Sequence, residues 1–181
     1  MMGLKEVYIL GKKFRELIPE QSLQERIDEL AARINNDFAG REVVFVGILN
    51  GAFMFAADLF RRLDLQARIT FIKLASYAGT SSTGTVRELI GWNEDLKDKQ
   101  VIIIDDIVDR GDTLEYAVNN LIIRNVTDIK VAVLLLKPGS YRKNIRIDYV
   151  GYEIPNDFVA GYGLDYNGFG RNLTSIYSLV G

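Results

Sequence analysis

Carboxylates are the residues with which this chain can do chemistry, and they gather in one stretch, Val101–Thr113 (VIIIDDIVDRGDT). Asp105, Asp106, Asp109 and Asp112 stand close together there, and they repel one another unless a cation or a hydroxyl-rich ligand lies between them. Ionised carboxylates only accept hydrogen bonds, which suits vicinal hydroxyls or the waters around a divalent metal. The second half of the stretch has the opposite polarity. Gly111 permits a turn with positive φ, and consecutive N–H groups around it can form an anion-binding nest. An apolar helical pattern begins directly afterwards, and a helix N-terminus favours phosphate. Thr113 adds a hydroxyl donor. One loop can therefore take a sugar diol and its phosphate, a phosphorylated pentose. The plain alternative is an ordinary loop in which Asp112 caps the helix and the other acids are solvated.

The composition narrows the chemistry further. Cysteine and histidine are both absent, so disulfides, thiolate metal sites and imidazole catalysis are excluded. Any metal must be held by oxygen, which favours magnesium, calcium or manganese. Proton transfer near neutrality falls to carboxylate, lysine or tyrosine. With 181 residues, 48% of them hydrophobic and 25% charged, the chain is expected to form a single domain over residues 1–181 that buries roughly 70% of its unfolded surface. A net charge of −2 gives no electrostatic reason to expect nucleic acid as a partner. No signal-peptide h-region opens the chain and no apolar run has the length of a membrane span, so no membrane partner and a cytoplasmic location are expected. Neither a Gly-x-x-x-x-Gly-Lys-Ser/Thr phosphate loop nor a Gly-x-Gly-x-x-Gly dinucleotide fingerprint is present.

The elements that must position the acidic stretch follow from hydrophobic periodicity. Val101–Ile104 is β-branched throughout and reads as a strand buried on both faces, ending at Asp105 and Asp106. Leu114, Ala117, Val118, Leu121 and Ile122 give the helix after it. Glu42–Leu49 and Ile129–Leu136 are further buried strands, Ala67–Ala75 and Val86–Ile90 have extended character, and Val7–Leu10 and Asp148–Glu153 are shorter candidates. Leu23, Ile27, Leu30, Ala31, Ile34 and Phe38 predict a helix, with Ser22–Glu25 as its capping box and Gly40 at its end. Phe53, Ala56, Ala57 and Phe60 predict another, whose face serves either the core or a subunit interface. Ser76–Thr85, hydroxyl-rich and uncharged, predicts a mobile loop. The region from Gly151 onward, with many glycines and aromatics, reads as loop-rich. Strands alternating with helices argue for an α/β fold with a largely parallel sheet, in which ligands bind outside the carboxyl ends of the strands. That is where Asp105–Thr113 falls.

The stretch also resembles the ribosyl-diphosphate motif of type I phosphoribosyltransferases: four apolar residues, two acids, two apolar residues, then Asp-x-Gly-x-Thr. Three other segments are similar to the hypoxanthine–guanine (6-oxopurine) branch of that family. They are Ile48–Gly51 (ILNG), where Asn50 stands at a lysine position; Ser76-Tyr77 with Ser82-Thr83-Gly84; and Lys137, Phe158-Val159, Gly161–Asn167 and Arg171. The resemblance implies the type I fold, a mainly parallel twisted sheet flanked by helices with a small hood from the N- and C-terminal segments. It implies transfer of a phosphoribosyl group from 5-phosphoribosyl 1-diphosphate to hypoxanthine, with guanine as a second acceptor, in purine salvage. Mg²⁺ is the implied cofactor, and a homodimer or homotetramer the implied assembly.

By the same resemblance Asp109 is the general base. Asp105 and Asp106 would hold the ribose hydroxyls and metal waters, and the amides of Asp109, Arg110, Gly111, Asp112 and Thr113 the sugar phosphate. Leu49, Asn50, Gly51 and Arg171 would meet the diphosphate, while Ser76 and Tyr77 would close as a lid. Lys137 would donate to the purine 6-oxo group, Phe158 would stack on the base, and Val159 and Asp165 would complete its pocket, Asp165 also serving the metal. Two rivals stand beside this reading. A non-catalytic regulator on the same fold would want a basic face. A phosphoryl-accepting receiver domain would place its acid pair near the start of the chain, not past the midpoint.

Overall fold

A computed structural model describes residues 5–76 and 86–181. Two sheets organise them. The larger has six strands, in the order β5 (Val86–Ile90), β4 (Gln66–Ser76), β3 (Glu42–Leu49), β6 (Gln100–Val108), β7 (Asp128–Leu136), β8 (Tyr149–Glu153). All neighbours run parallel except β5, which is antiparallel to β4. Helices α1 (Glu20–Asp37) and α2 (Phe53–Phe60) cover one face, packing Leu23, Ile27, Ile34, Phe55 and Leu59 on Phe45, Ile102, Ile104 and Leu134. Helix α3 (Asp112–Ile123) covers the other, with Leu114, Ala117 and Leu121 on Val44, Val46, Val101, Ile103, Val131 and Val133. Burial on both faces is why β3, β6 and β7 read as unbroken apolar runs.

The second sheet is the hood, antiparallel in the order β1 (Glu6–Ile9), β2 (Lys12–Ile18), β10 (Ile176–Leu179), β9 (Val159–Ala160). Ile9, Phe14, Ala160 and Tyr177 form its own small core. Ile18, Val159, Tyr162, Leu164 and Ile176 join the core beneath α1 and α2, which fixes the hood to the main sheet. Among the described residues no helix is long and apolar enough to cross a membrane.

Several local expectations change. β6 continues four residues past Ile104, so Asp105 and Asp106 lie inside the strand. The capping box at Ser22 does not form, because α1 already starts at Glu20; the Glu20 N–H is instead capped by the Ser175 hydroxyl at 3.0 Å, from the far end of the chain. In α2 the buried stripe is Phe55, Ala56 and Leu59, leaving Phe53 and Ala57 exposed. A helix of eight residues tethered at both ends takes its phase from the sheet below, not from its own weak periodicity. β2 and β10 arise where the sequence shows mixed polarity, since the hood sheet has one solvated face and the charges of β2 fall in pairs, Lys12-Lys13 and Arg15-Glu16, around the buried Phe14.

Candidate active site

The carboxyl ends of β3, β6 and β7 bring three loops together beneath the hood. The acid pair is built by a slip in the pleat. Ile104 packs toward α1 and α2, and strict alternation would send Ile107 to the α3 face. Ile107 instead joins the α1/α2 core and Val108 the α3 core. β7 slips in step: Asp105 pairs with Val133 and Ile107 with Leu135, while Asp106 falls outside the register. Pairing of β6 with β3 stops at Ile104. The two carboxylates thus emerge where the ladder is interrupted. Asp105 is only 6% exposed, and its Oδ1 accepts the Asp106 N–H at 3.1 Å.

Burial and the neighbouring Asp106 charge push the Asp105 carboxyl well above the ordinary range. Burial also raises Asp106, against lowering contributions that include the Asp105 hydrogen bond and the Arg171 charge. Adjacent buried carboxylates that resist losing their protons are a hard-oxygen donor set short of positive charge, which fits a cation such as Mg²⁺. Among the described residues no group of three or more acidic side chains could hold an ion unaided. The donors fit a Mg²⁺ that keeps waters and substrate oxygens in its shell.

Gly51, in the turn after β3, lies directly under this pair. A Cβ on it would sit 1.7 Å from Asp106 Oδ2, so only glycine allows the approach. The same turn touches the C-terminal segment: a Cβ on Gly163 would lie 2.2 Å from the Gly51 carbonyl oxygen. Arg171 donates from Nη1 to the Gly163 carbonyl at 2.6 Å and pairs through Nη2 with Asp165 Oδ1 at 2.6 Å. Asp165 also accepts the Gly168 N–H at 2.6 Å, so both its oxygens are engaged within the turn. Leu49 ends β3, and Asn50 follows at the exposed corner of the turn.

On the other side of the acid pair, Gly111 has φ +90° and starts α3. The first backbone bond of the helix runs from the Glu115 N–H to the Gly111 carbonyl at 2.9 Å, leaving the earlier amides, including those of Asp112 and Thr113, for other acceptors. Gly111, not Asp112, is the N-cap, so the plain capping alternative does not hold. Asp109 and Arg110 are exposed in the bend between strand and helix.

Lys137, at the end of β7, is 7% exposed and its Nζ lies 3.1 Å from Asp109 Oδ2. Its N–H continues the ladder to Val108 at 3.0 Å, which fixes the base of the side chain beside β6. The Ser140 hydroxyl bonds Asn156 Oδ1 at 2.8 Å, stitching the Lys137 turn to the segment that leads to Phe158. Phe158 is 46% exposed, with one edge packed on Tyr166 (5.7 Å between centroids) and Phe14 (6.4 Å), so much of its ring stays open for stacking. Val159 is buried, its backbone paired with Ser178 of β10.

The structure therefore assembles Leu49–Gly51, Asp105, Asp106, Asp109–Thr113, Lys137, Phe158, Val159, Asp165 and Arg171 around the strand ends and hood. For Ser76 only the backbone is described, as the last residue of β4, and Tyr77 with the rest of the expected lid lies outside the described residues. Sequence reasoning missed Phe14, which with Tyr166 of the Gly161–Asn167 segment props the Phe158 ring, and Asp58, which accepts the buried Tyr162 hydroxyl. Aromatic residues in a glycine-rich turn were the available signal for Tyr162 and Tyr166. Nothing local distinguished Phe14 or Asp58.

A largely parallel sheet with an acid pair and a glycine-initiated helix at one strand end defines a class. The phosphoribosyl transferase domain matches residues 16–167 of this chain, and the chain belongs to the phosphoribosyltransferase family. Among curated proteins it is 39% identical to the hypoxanthine-guanine phosphoribosyltransferase of Mycobacterium tuberculosis, over 90% of this chain and 84% of that protein. It is 42% identical to the one from Staphylococcus epidermidis, over 90% and 92%. A crystal structure of a hypoxanthine phosphoribosyltransferase from Staphylococcus aureus superposes with a TM-score of 0.87 at 39% identity, covering 91% of this chain and 90% of the other.

Proposed function

We propose that this protein is a hypoxanthine phosphoribosyltransferase of purine salvage, with guanine as a second acceptor and Mg²⁺ as cofactor. The observation that carries the reading is the Lys137–Asp109 pair, 3.1 Å apart. A nearly buried ammonium beside a half-exposed carboxylate matches a base that carries an oxo group next to an acidic ring N–H. In the transfer, the C1–diphosphate bond breaks and its electron pair leaves with the diphosphate. The purine ring nitrogen bonds to C1, and its proton goes to an Asp109 oxygen. Lys137, held against Asp109, is placed to turn to the 6-oxo group and leave the carboxylate free.

Asp105 and Asp106 hold the ribose hydroxyls. The amides of Asp109–Thr113, including those of Arg110 and Gly111, hold the 5-phosphate, and the Leu49–Gly51 turn with Arg171 faces the diphosphate. Asn50 makes that contact neutral. Asp105, Asp106 and Asp165 would hold Mg²⁺, which would supply charge neutralisation to the departing diphosphate. On this reading Ser76 and Tyr77 would serve to keep water from the cationic sugar. Incubating the protein with 5-phosphoribosyl 1-diphosphate, Mg²⁺ and each of hypoxanthine, guanine, xanthine and adenine tests the assignment. Nucleotide is expected from hypoxanthine and guanine. Adenine as the preferred acceptor, or no nucleotide from any base, overturns it.

A further inference from the structure

The phosphate loop of this chain carries an electrostatic problem that the motif itself does not solve. Asp112 and Glu115 are both in the first turn of α3, on the very terminus whose amides are assigned to the sugar phosphate. Acids there suit the helix dipole, but they oppose a phosphate dianion arriving at the same place. The answer comes from outside the motif. The connection from β7 to β8, residues 137–148, has no helix, although parallel strands are usually joined by one. It runs as an irregular strap along the back of the phosphate loop.

Three contacts fix the strap. The Arg142 N–H donates to the Arg110 carbonyl at 3.4 Å, the Tyr141 hydroxyl donates to the Ile145 carbonyl at 2.7 Å, and Arg142 Nη2 donates to the Gly139 carbonyl at 2.6 Å. A Cβ on Gly111 would meet the Tyr141 ring at 2.6 Å and Lys143 Cγ at 2.8 Å, so strap and loop are packed as tightly as glycine allows. Lys143 Nζ then lies 2.8 Å from Asp112 Oδ1 and 2.7 Å from Glu115 Oε2. This pairing holds the Asp112 carboxyl below its ordinary range and raises the Lys143 ammonium above its own. Arg110 stands farther off, 3.8 Å from Asp112 and largely exposed.

We propose that Lys143 is a positioning residue for the sugar phosphate: by bridging Asp112 and Glu115 it cancels the two charges that would repel a phosphomonoester from the loop. The inference rests on the reading of Asp109–Thr113 as the phosphate site. It predicts an effect confined to the phosphomonoester end of the substrate, because the diphosphate faces the Leu49–Gly51 turn.

Calorimetric titration of the full chain with ribose 5-phosphate, and separately with inorganic diphosphate and Mg²⁺, tests it alongside steady-state kinetics. Lys143→Met is expected to weaken ribose 5-phosphate and to raise KM for 5-phosphoribosyl 1-diphosphate roughly tenfold, the effect of uncompensated charge at a few ångströms near a surface. Diphosphate binding should be unmoved and kcat should change less than about twofold. Lys143→Arg should restore binding, and so should Lys143→Met combined with Asp112→Asn and Glu115→Gln, which removes the acids instead of neutralising them. Failure of the triple variant to recover, or equal loss of diphosphate and phosphomonoester binding, would reduce Lys143 to a structural strut and overturn the proposal. A wild-type protein that makes nucleotide but binds no ribose 5-phosphate overturns the phosphate-loop reading itself, and is told apart by that measurement alone.

Discussion

Asp109 and Lys137 are legible in the sequence only through the family resemblance, yet the structure shows what each does to the other. A lysine with 9% of its side chain exposed requires a partner, and the half-exposed Asp109 supplies it without being buried. Asp109→Asn removes the proton acceptor while keeping its shape, so kcat should fall by about 10²–10⁴ with purine binding largely retained; unchanged turnover in steady-state assays would sink the general-base role. The acid pair makes a separate prediction. Because the folded protein holds the Asp105 carboxyl above its unfolded value, it keeps a proton that the unfolded chain has released. That contribution to stability is fully present below the ordinary carboxylate range and is lost as pH rises toward the raised value. Asp105→Asn should therefore gain on the wild type in urea denaturation as pH rises from about 4 to about 8. A constant difference between the two curves would contradict the assignment.

The β6–loop–α3 unit explains why the motif has its particular length. The slip in the pleat at Asp106, matched on β7, turns both carboxylates toward the strand end while keeping Ile107 and Val108 in their cores. The left-handed Gly111 then reverses the chain into the helix. Gly111→Ala would force an L side chain to φ +90° and drive its Cβ into the Tyr141 ring. A loss of roughly 2–4 kcal/mol is expected from strain and overpacking together, measured by chemical denaturation, with phosphate-ester affinity falling in parallel. β6 shows where pattern reading stops short: apolar continuity ends at Ile104, but hydrogen bonding to β7 continues to Val108, and only the neighbouring strand supplies that information.

The molecule as one body depends on how the hood is tied to the sheet. Tyr162, 2% exposed with φ +48°, sits between two glycines of positive φ. It donates its hydroxyl to Asp58 at the end of α2, which also accepts from Gln24 of α1 at 3.1 Å. Burial and the Asp58 carboxylate raise the Tyr162 hydroxyl strongly, so the bond persists to high pH and its contribution fades only as pH climbs above about 10. Tyr162→Phe should cost about 1.5–3 kcal/mol for a lost hydrogen bond to a charged group in denaturation near neutrality, with Gln24 still donating to Asp58. It should also lose affinity for 5-phosphoribosyl 1-diphosphate, because Gly163 and Arg171 are carried by the same turn. A variant with wild-type stability would show that the hood is held by packing alone.

By itself the sequence determined the oxygen-only chemistry, the parallel α/β core and the strand–acid–glycine–helix unit, because these rest on composition and on short-range periodicity. Gly51, Asp106, Gly163 and Arg171 meet only in three dimensions, through backbone approaches that no local pattern encodes. The same holds for the Ser175 cap on Glu20, the Phe14 support of Phe158 and the Lys143 bridge, each joining positions far apart in the chain. Side chains at such separations are brought together by the packing of whole strands and helices. Periodicity decides which face of an element is buried, and packing decides which distant polar groups that burial leaves side by side.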